Sequence, residues 1–490
     1  MRRPRSSSRP SKPPASLFAR LNPSVTLDEG PDGSLSAFVD GQAIALGKFS
    51  ASTARRSADL RTGLRLDEFG TRDPGGEEEV HALVRRLAHI GLLEYRLAAA
   101  PGSADLVVIE PQMRDYTPRM PALAGDGALV LSRFAYWRRR GTDMVLESPR
   151  AGALFRLCDA DIAATIAGLS APQTMKQLRR KRGFPGVGLL ALLVDCGILF
   201  TVDPDRGKGL RTSEGDPSLV LWDFHDLLFH ARSTAGRHAN PSGGVMAYAH
   251  VVEALPAVRP PWPGKAIDLR EAAAPSTAAS PVAALLRRRH STRDFDERRP
   301  ITLAELARFL DATARILSRD RQQHEGDDEP EIEIAARPYP SGGASYELEL
   351  YLTVDRCDGL ASGFYHYDAA RHALVPIPAS AQQITAMLGG AQLAMGAPAV
   401  PQILVTMAAR FGRVSWKYSA IAYALILKHV GVLMQTFYLM ATDMELGACA
   451  IGTADIDLFA KMTGMAFYVE GPVGQMAIGR GVDSKPASAD

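Results

Sequence analysis

The stretch from Ser419 to Ala441 limits this chain more than any other, because it is the only run long and apolar enough to span a bilayer. Lys428 and His429 interrupt it near its centre, where ionisable side chains are costly in hydrocarbon. The pattern therefore predicts a helix buried in a globular core or at a subunit interface. A chain of 490 residues, 46% hydrophobic, can surround such a helix and is long enough for about two to four domains. Its 56 basic and 54 acidic residues nearly cancel, so no global charge drives it toward nucleic acid or a membrane surface. Cys158, Cys196, Cys357 and Cys449 lie far apart without a CxxC pair, which argues against a disulfide framework or a zinc site and fits the reducing cytoplasm.

Residues 1–16 carry arginines, serines and prolines but no acid, as a disordered basic tail does. No apolar h-region follows, so a secretory signal is not expected. Two later segments share a plan. Ala82 to Leu93 reads as a helix, a glycine and a short apolar strand, and Gly188 to Leu199 repeats it. Gly91 and Gly197 stand where a helix C-terminus needs positive φ. Residues 17–110 and 125–205 thus read as two small related α+β units of winged-helix type. Both are arginine-rich, and DNA binding, peptide binding and a purely structural use stay open. Residues 206–280 form a connecting segment. It holds His225 and His230, whose spacing sets them about 140° apart on a helix, which argues against a shared metal. Pro256, Pro260, Pro261 and Pro263 mark a boundary.

From 281 to 485 the pattern changes to a larger α+β domain. It predicts a helix over 301–318, a strand over Leu348–Val354, a hairpin around Gly363–Tyr367, a strand over 401–407, the long apolar helix, and a last strand over Val473–Ile478. Four constellations here carry chemistry. Arg287-Arg288-Arg289-His290-Ser291-Thr292-Arg293 offers guanidinium and hydroxyl donors to one polyanionic group, most simply a phosphate. Pro340-Ser341-Gly342-Gly343 can turn successive backbone N–H groups toward an anion or a ring carbonyl. Gly447 to Gly452 is built of small residues that let a flat group approach the backbone; Cys449 within it has no neighbouring base in sequence. Arg480 follows the last strand. No GxGxxG before a helix and no GxxxxGK[ST] occurs, so neither a Rossmann nor a P-loop site is supported.

Arg289-His290-Ser291-Thr292-Arg293 resembles the Arg-x-Ser-x-Arg/Lys signature of the FMN-dependent nitroreductase superfamily, whose members hold FMN at a homodimer interface. The resemblance implies that Arg289, His290, Ser291 and Arg293 hold the phosphate and ribityl chain, and that Arg480 closes on the phosphate. It also implies that Pro340, Ser341, Gly342 and Gly343 approach the flavin from the partner subunit, with Gly452 near the ring. Within that superfamily the chain looks like the SagB-type dehydrogenases, the azoline oxidases of modified-peptide biosynthesis. FHDLLFHARS at 224–233, RPYPSGGASYELELYL at 337–352, GFYHYDAARHAL at 363–374 and the pair Lys417-Tyr418 carry this narrower likeness. The N-terminal units also resemble the precursor-recognition-like modules of longer members.

By that resemblance Lys417 and Tyr418 are the catalytic pair, FMN is the cofactor, no metal is needed, and a precursor peptide and a cyclodehydratase are the partners. Aromatising a thiazoline or oxazoline removes a Cα proton and a Cβ hydride. Bound FMN takes the hydride, and a desolvated lysine, or the tyrosine beside it, handles the proton. Alternative readings are an NAD(P)H-dependent reductase of small molecules and a non-catalytic leader-peptide scaffold. The chain departs from the family at three places. Ala422 and Ala424 flank Tyr423 where arginines are usual, Ser345 and Glu347 replace Leu and Pro, and Leu427-Lys428-His429-Val430-Gly431 replaces an Asp-Ala-Gly-His entry.

Overall fold

The computed structural model describes residues 15–39, 42–65, 76–113, 116–123, 127–202, 214–234, 280–322 and 331–482, with short pieces between 246 and 269. The basic tail expected up to residue 16 lies outside them as far as residue 14, and a strand, Ser16–Leu21, begins at its end. Two compact units emerge. The first takes the chain up to Val220 with Leu227–Arg232, and the second takes Leu221–Asp226 and the chain beyond 240.

In the first unit seven antiparallel strands form one sheet. Their order is Leu64–Arg65, Ser16–Leu21, Leu93–Ala98, Asp105–Pro111, Ala153–Leu157, Asp143–Glu147 and Tyr136–Arg140. Helices Gly76–His89 and Val187–Asp195 end just before Gly91 and Gly197, which adopt φ of 75° and 62° as the sequence pattern required. The two small units expected over 17–110 and 125–205 supply strands to this one sheet, because Ile109 pairs opposite Phe155. Their apolar side chains also form one cluster, running from Leu83 and Leu87 to Leu189 and Leu193. Register between strands this far apart in sequence leaves no local signature, which is why the joint was not legible.

The second unit is built on a six-stranded antiparallel sheet. Its order is Ala373–Ile377, Gly363–Asp368, Leu348–Val354, Ile403–Arg410, Glu470–Gly479 and Gly447–Ile451. The long apolar run forms the helix Ala422–Asp443. Ala422, Ile426, His429, Leu433, Phe437 and Ala441 are buried at the three-and-four spacing of one helix face, while Lys428 is exposed. Helix Leu303–Ala314, started by a Thr302–Glu305 capping box, packs on that face, with Phe309 and Phe437 rings 5.2 Å apart. The helix expected over 301–318 is therefore shorter at its C-terminus. Arg315 leaves helical geometry at ψ 145°, the Ile316 N–H donates to Ala369 O, and Ser318–Gln322 becomes a strand paired with Ile332–Ala336.

Candidate functional site

Helix Pro281–Arg288 begins with a Ser280 cap and a proline in its first turn, and stops at Arg289, where ψ is 123°. Arg287 and Arg288 stay on the helix and exposed, while Arg289 to Arg293 run out beyond it. Two strand ends hold this run. Thr292 N–H donates to Ala448 O at 2.8 Å, Asp296 N–H donates to Arg480 O at 2.8 Å, and buried Phe295 bridges Gly481. A Cβ on Gly447 would stand 2.6 Å from Thr292 Cγ2, so glycine there makes room for the threonine. The small residue expected to admit a flat ligand serves this packing instead. Gly452, by contrast, is exposed, and a Cβ on it would meet open space.

Tyr438, 8% exposed on the long helix, touches the run from below. Its hydroxyl lies 2.7 Å from Ser291 Oγ and accepts from Ala450 N–H at 2.9 Å, and Arg289 Cζ stands 5.1 Å from its ring centroid. Among the described residues neither Arg289 nor Arg293 pairs with a carboxylate, and Arg293 is exposed. Two such guanidinium groups and a serine hydroxyl are a donor set suited to a phosphate, and they fit the FMN phosphate that the family resemblance implies. His290 is exposed and its Nδ1 donates to Arg288 O at 3.1 Å, closing the turn. Arg480 lies just past the last strand. Its backbone is joined to the run, but its guanidinium pairs with Glu305 at 2.6 Å. Partial burial pushes the Glu305 carboxyl up, yet hydrogen bonds from Thr302 and Arg480 outweigh it and hold the group below its ordinary range. The Cys449 thiol is buried, and burial pushes its pKa up against the pull of Arg293, so it is poorly suited to act as a nucleophile.

A second cluster forms at the other conspicuous turn. Gly343 has φ 60°, and a Cβ on it would lie 2.6 Å from Tyr418 Oη and 2.7 Å from Lys417 Nζ. The structure thus brings Ser341-Gly342-Gly343 and Lys417-Tyr418 together within one chain. Lys417 is exposed and Tyr418 half-buried, with Nζ 5.7 Å from the Tyr418 ring centroid. Burial within this chain therefore does not supply the desolvation expected for the lysine. The pair sits on the turn that enters the long helix. Asp223 accepts from Ala420 N–H at 2.8 Å and Asp226 from Tyr423 N–H at 3.4 Å. These acids with His225 form a group of compatible metal-ligand spacing, but the two carboxylates already serve the positive end of the helix. His225 is exposed and His230 buried, in keeping with their separate faces.

Sequence reading missed a buried chain beneath the turn. Gly342 N–H donates to His429 Nε2 at 2.8 Å, and His429 Nδ1 donates to Glu347 Oε1 at 2.8 Å. His429 is 6% exposed and Glu347 fully enclosed. An Nε2 that accepts is unprotonated, so the imidazole is the neutral Nδ1–H tautomer. The Gly342 N–H, expected to face a ligand, is spent on this histidine. Both residues lay among the departures from the family pattern, and that co-occurrence was the one signal available for the pair.

Comparisons place these residues in a family context. Residues 286–480 match the nitroreductase family model, and residues 129–239 match the cyanobactin oxidase ThcOx model. A Methanocaldococcus jannaschii protein named as a nitroreductase is 29% identical over 168 residues, which cover 34% of this chain and 76% of that protein. Similar solved structures include a protein of Ralstonia eutropha named as a nitroreductase, with 20% identity, coverage of 43% of this chain and 88% of that one, and a TM-score of 0.32. A chain of the Escherichia coli microcin synthetase McbBCD complex with truncated pro-MccB17 bound is 18% identical, covering 56% of this chain and 99% of that one, with a TM-score of 0.38.

Proposed function

We propose that this chain, whose residues 129–239 match the cyanobactin oxidase ThcOx model and 286–480 the nitroreductase family model, is a SagB-type dehydrogenase that oxidises peptide-borne thiazoline or oxazoline rings to thiazole or oxazole with FMN. The observation that carries this reading is the convergence of Lys417 Nζ and Tyr418 Oη on Gly343, in a domain whose Arg289, Ser291 and Arg293 suit a phosphate. Arg289, Ser291 and Arg293 would hold the FMN phosphate, and Pro340, Ser341 and Gly452 would lie toward the flavin. Bound FMN supplies the two-electron acceptor that ring oxidation needs.

Lys417 and Tyr418 manage the Cα proton. Lys417 Nζ lies 5.7 Å from the phenol ring centroid, so both groups can reach one proton. The Ser341-Gly342-Gly343 turn, anchored through His429, keeps the floor under both groups free of side chain.

In this reading the enzyme is a cytoplasmic homodimer. The exposed side of the Ala422–Asp443 helix suits a subunit contact, and the N-terminal unit receives a precursor peptide already cyclised by a cyclodehydratase. A second reading is reduction of small molecules by NAD(P)H, and the likeness to a protein named as a nitroreductase keeps it in view. Anaerobic mixing of the FMN-loaded protein separates the two. Bleaching of the flavin by an azoline peptide supports the oxidase, whereas bleaching by NAD(P)H alone supports the reductase. Lys417→Ala should lower turnover about a hundredfold, within the usual range for a lost general base. Full turnover in that variant would end its assignment as base.

A further inference from the structure

The hydroxyl chain under the phosphate-type cluster has a direction. Ala450 N–H can only donate, and it donates to Tyr438 Oη at 2.9 Å. The phenol keeps its own hydrogen to donate, and Ser291 Oγ at 2.7 Å is the hydroxyl paired with it among the described residues. With Ser291 as the acceptor of that hydrogen, its own hydrogen turns away from the core. Ser291 is half-buried, so that hydrogen faces the open side shared with Arg289 and Arg293. The same tyrosine ring carries the Arg289 guanidinium at 5.1 Å. One buried residue thus orders two of the three donors.

We propose that Tyr438 is a positioning residue of the phosphate site. Its hydroxyl fixes the Ser291 O–H as an outward donor, passing the donor character of a strand amide to a bound phosphate monoester. Without it, Ser291 can turn its hydrogen inward and present a lone pair to an anion, which repels. The inference rests on the FMN reading above, and its test keeps the two apart.

Tyr438→Phe deletes the hydroxyl and keeps the ring under Arg289. Full-length apoprotein is titrated with FMN and with riboflavin, which lacks the phosphate, by flavin fluorescence. The expected result is FMN affinity about tenfold weaker, as for one lost hydrogen bond to a charged group, with riboflavin affinity unchanged. Ser291→Ala should weaken FMN at least as much, and adding Tyr438→Phe to it should cost nothing further. Two results overturn the proposal alone: native FMN affinity in Tyr438→Phe while Ser291→Ala is weakened, or equal weakening of FMN and riboflavin, which marks a purely structural residue. Native FMN affinity in Ser291→Ala removes the phosphate reading itself, and the role of Tyr438 falls with it.

Discussion

Gly343 shows how much a single missing side chain decides. Its φ of 60° lies in the left-handed region, where an L-residue pays about 1 kcal/mol or more. Its absent Cβ leaves the space that Lys417 Nζ and Tyr418 Oη occupy. Gly343→Ala should therefore leave the domain folded yet cut turnover at least tenfold, because misplacing reacting groups by about 1 Å is enough for such losses. Steady-state kinetics beside a circular dichroism spectrum checks this, and unchanged turnover would show that the turn does not set the pair. The glycine and the Lys-Tyr pair were both legible in sequence as separate motifs. Their contact was not, because nothing local links residue 343 to residue 417. Tyr438 escaped notice for the same reason, as its partner Ser291 is 147 positions away. Arg480 was found, but its pairing with Glu305 could not be read from either neighbourhood.

At the scale of elements, the His429–Glu347 pair ties the long helix to the segment entering strand Leu348–Val354. His429→Leu would leave an enclosed carboxylate, with Ser341 Oγ at 3.4 Å as a weak partner, and a Gly342 N–H without its acceptor. Leaving a buried carboxylate without its donor in this way costs about 3 kcal/mol. Glu347→Leu/His429→Leu together should cost less than the sum of the single variants, which denaturant unfolding measures as a cycle. Simple additivity would mean that the two do not act as a unit.

Strand Glu470–Gly479 holds a second buried acid. Burial pushes the Glu470 carboxyl above its ordinary value of 4.5, against the hydrogen bond donated by Tyr351 at 2.6 Å. The folded state then keeps this proton where the unfolded chain has released it, so stability falls as pH rises from 4.5 through the raised value. Glu470→Gln should abolish that share of the decline, and parallel stability profiles for the two proteins would refute it. Element types were mostly legible, since alternation and helical spacing are local. The helix over 301–318 was overextended because the Ile316 N–H is claimed by Ala369, a tertiary bond that propensity does not record.

For the whole molecule, the residues predicted to carry chemistry, from Arg289 to Arg480, lie along one stretch of sequence inside the second unit. The first was read as two units because helix, glycine and strand recur, yet the pairing of Asp105–Pro111 with Ala153–Leu157 makes one sheet of both. Every candidate ligand contact falls in the second unit, which makes the effect of cofactor regional. A ligand bound to the native state alone stabilises it by about 2.7 kcal/mol at a hundred times its Kd. That energy slows exchange only in amides whose opening releases the ligand. Hydrogen exchange read by mass spectrometry should therefore slow on FMN addition in peptides covering 285–296, 447–452 and 478–482. Their amides include Thr292 and Asp296, which pin the phosphate-type run to the two strands, and Ala450, which donates to Tyr438 Oη. Peptides covering 93–111 and 128–157 should exchange at the same rate with and without FMN, while a precursor peptide should slow some of them. Protection by FMN confined to 93–157 would move the cofactor to the first unit and overturn the site assigned to Arg289, Ser291 and Arg293.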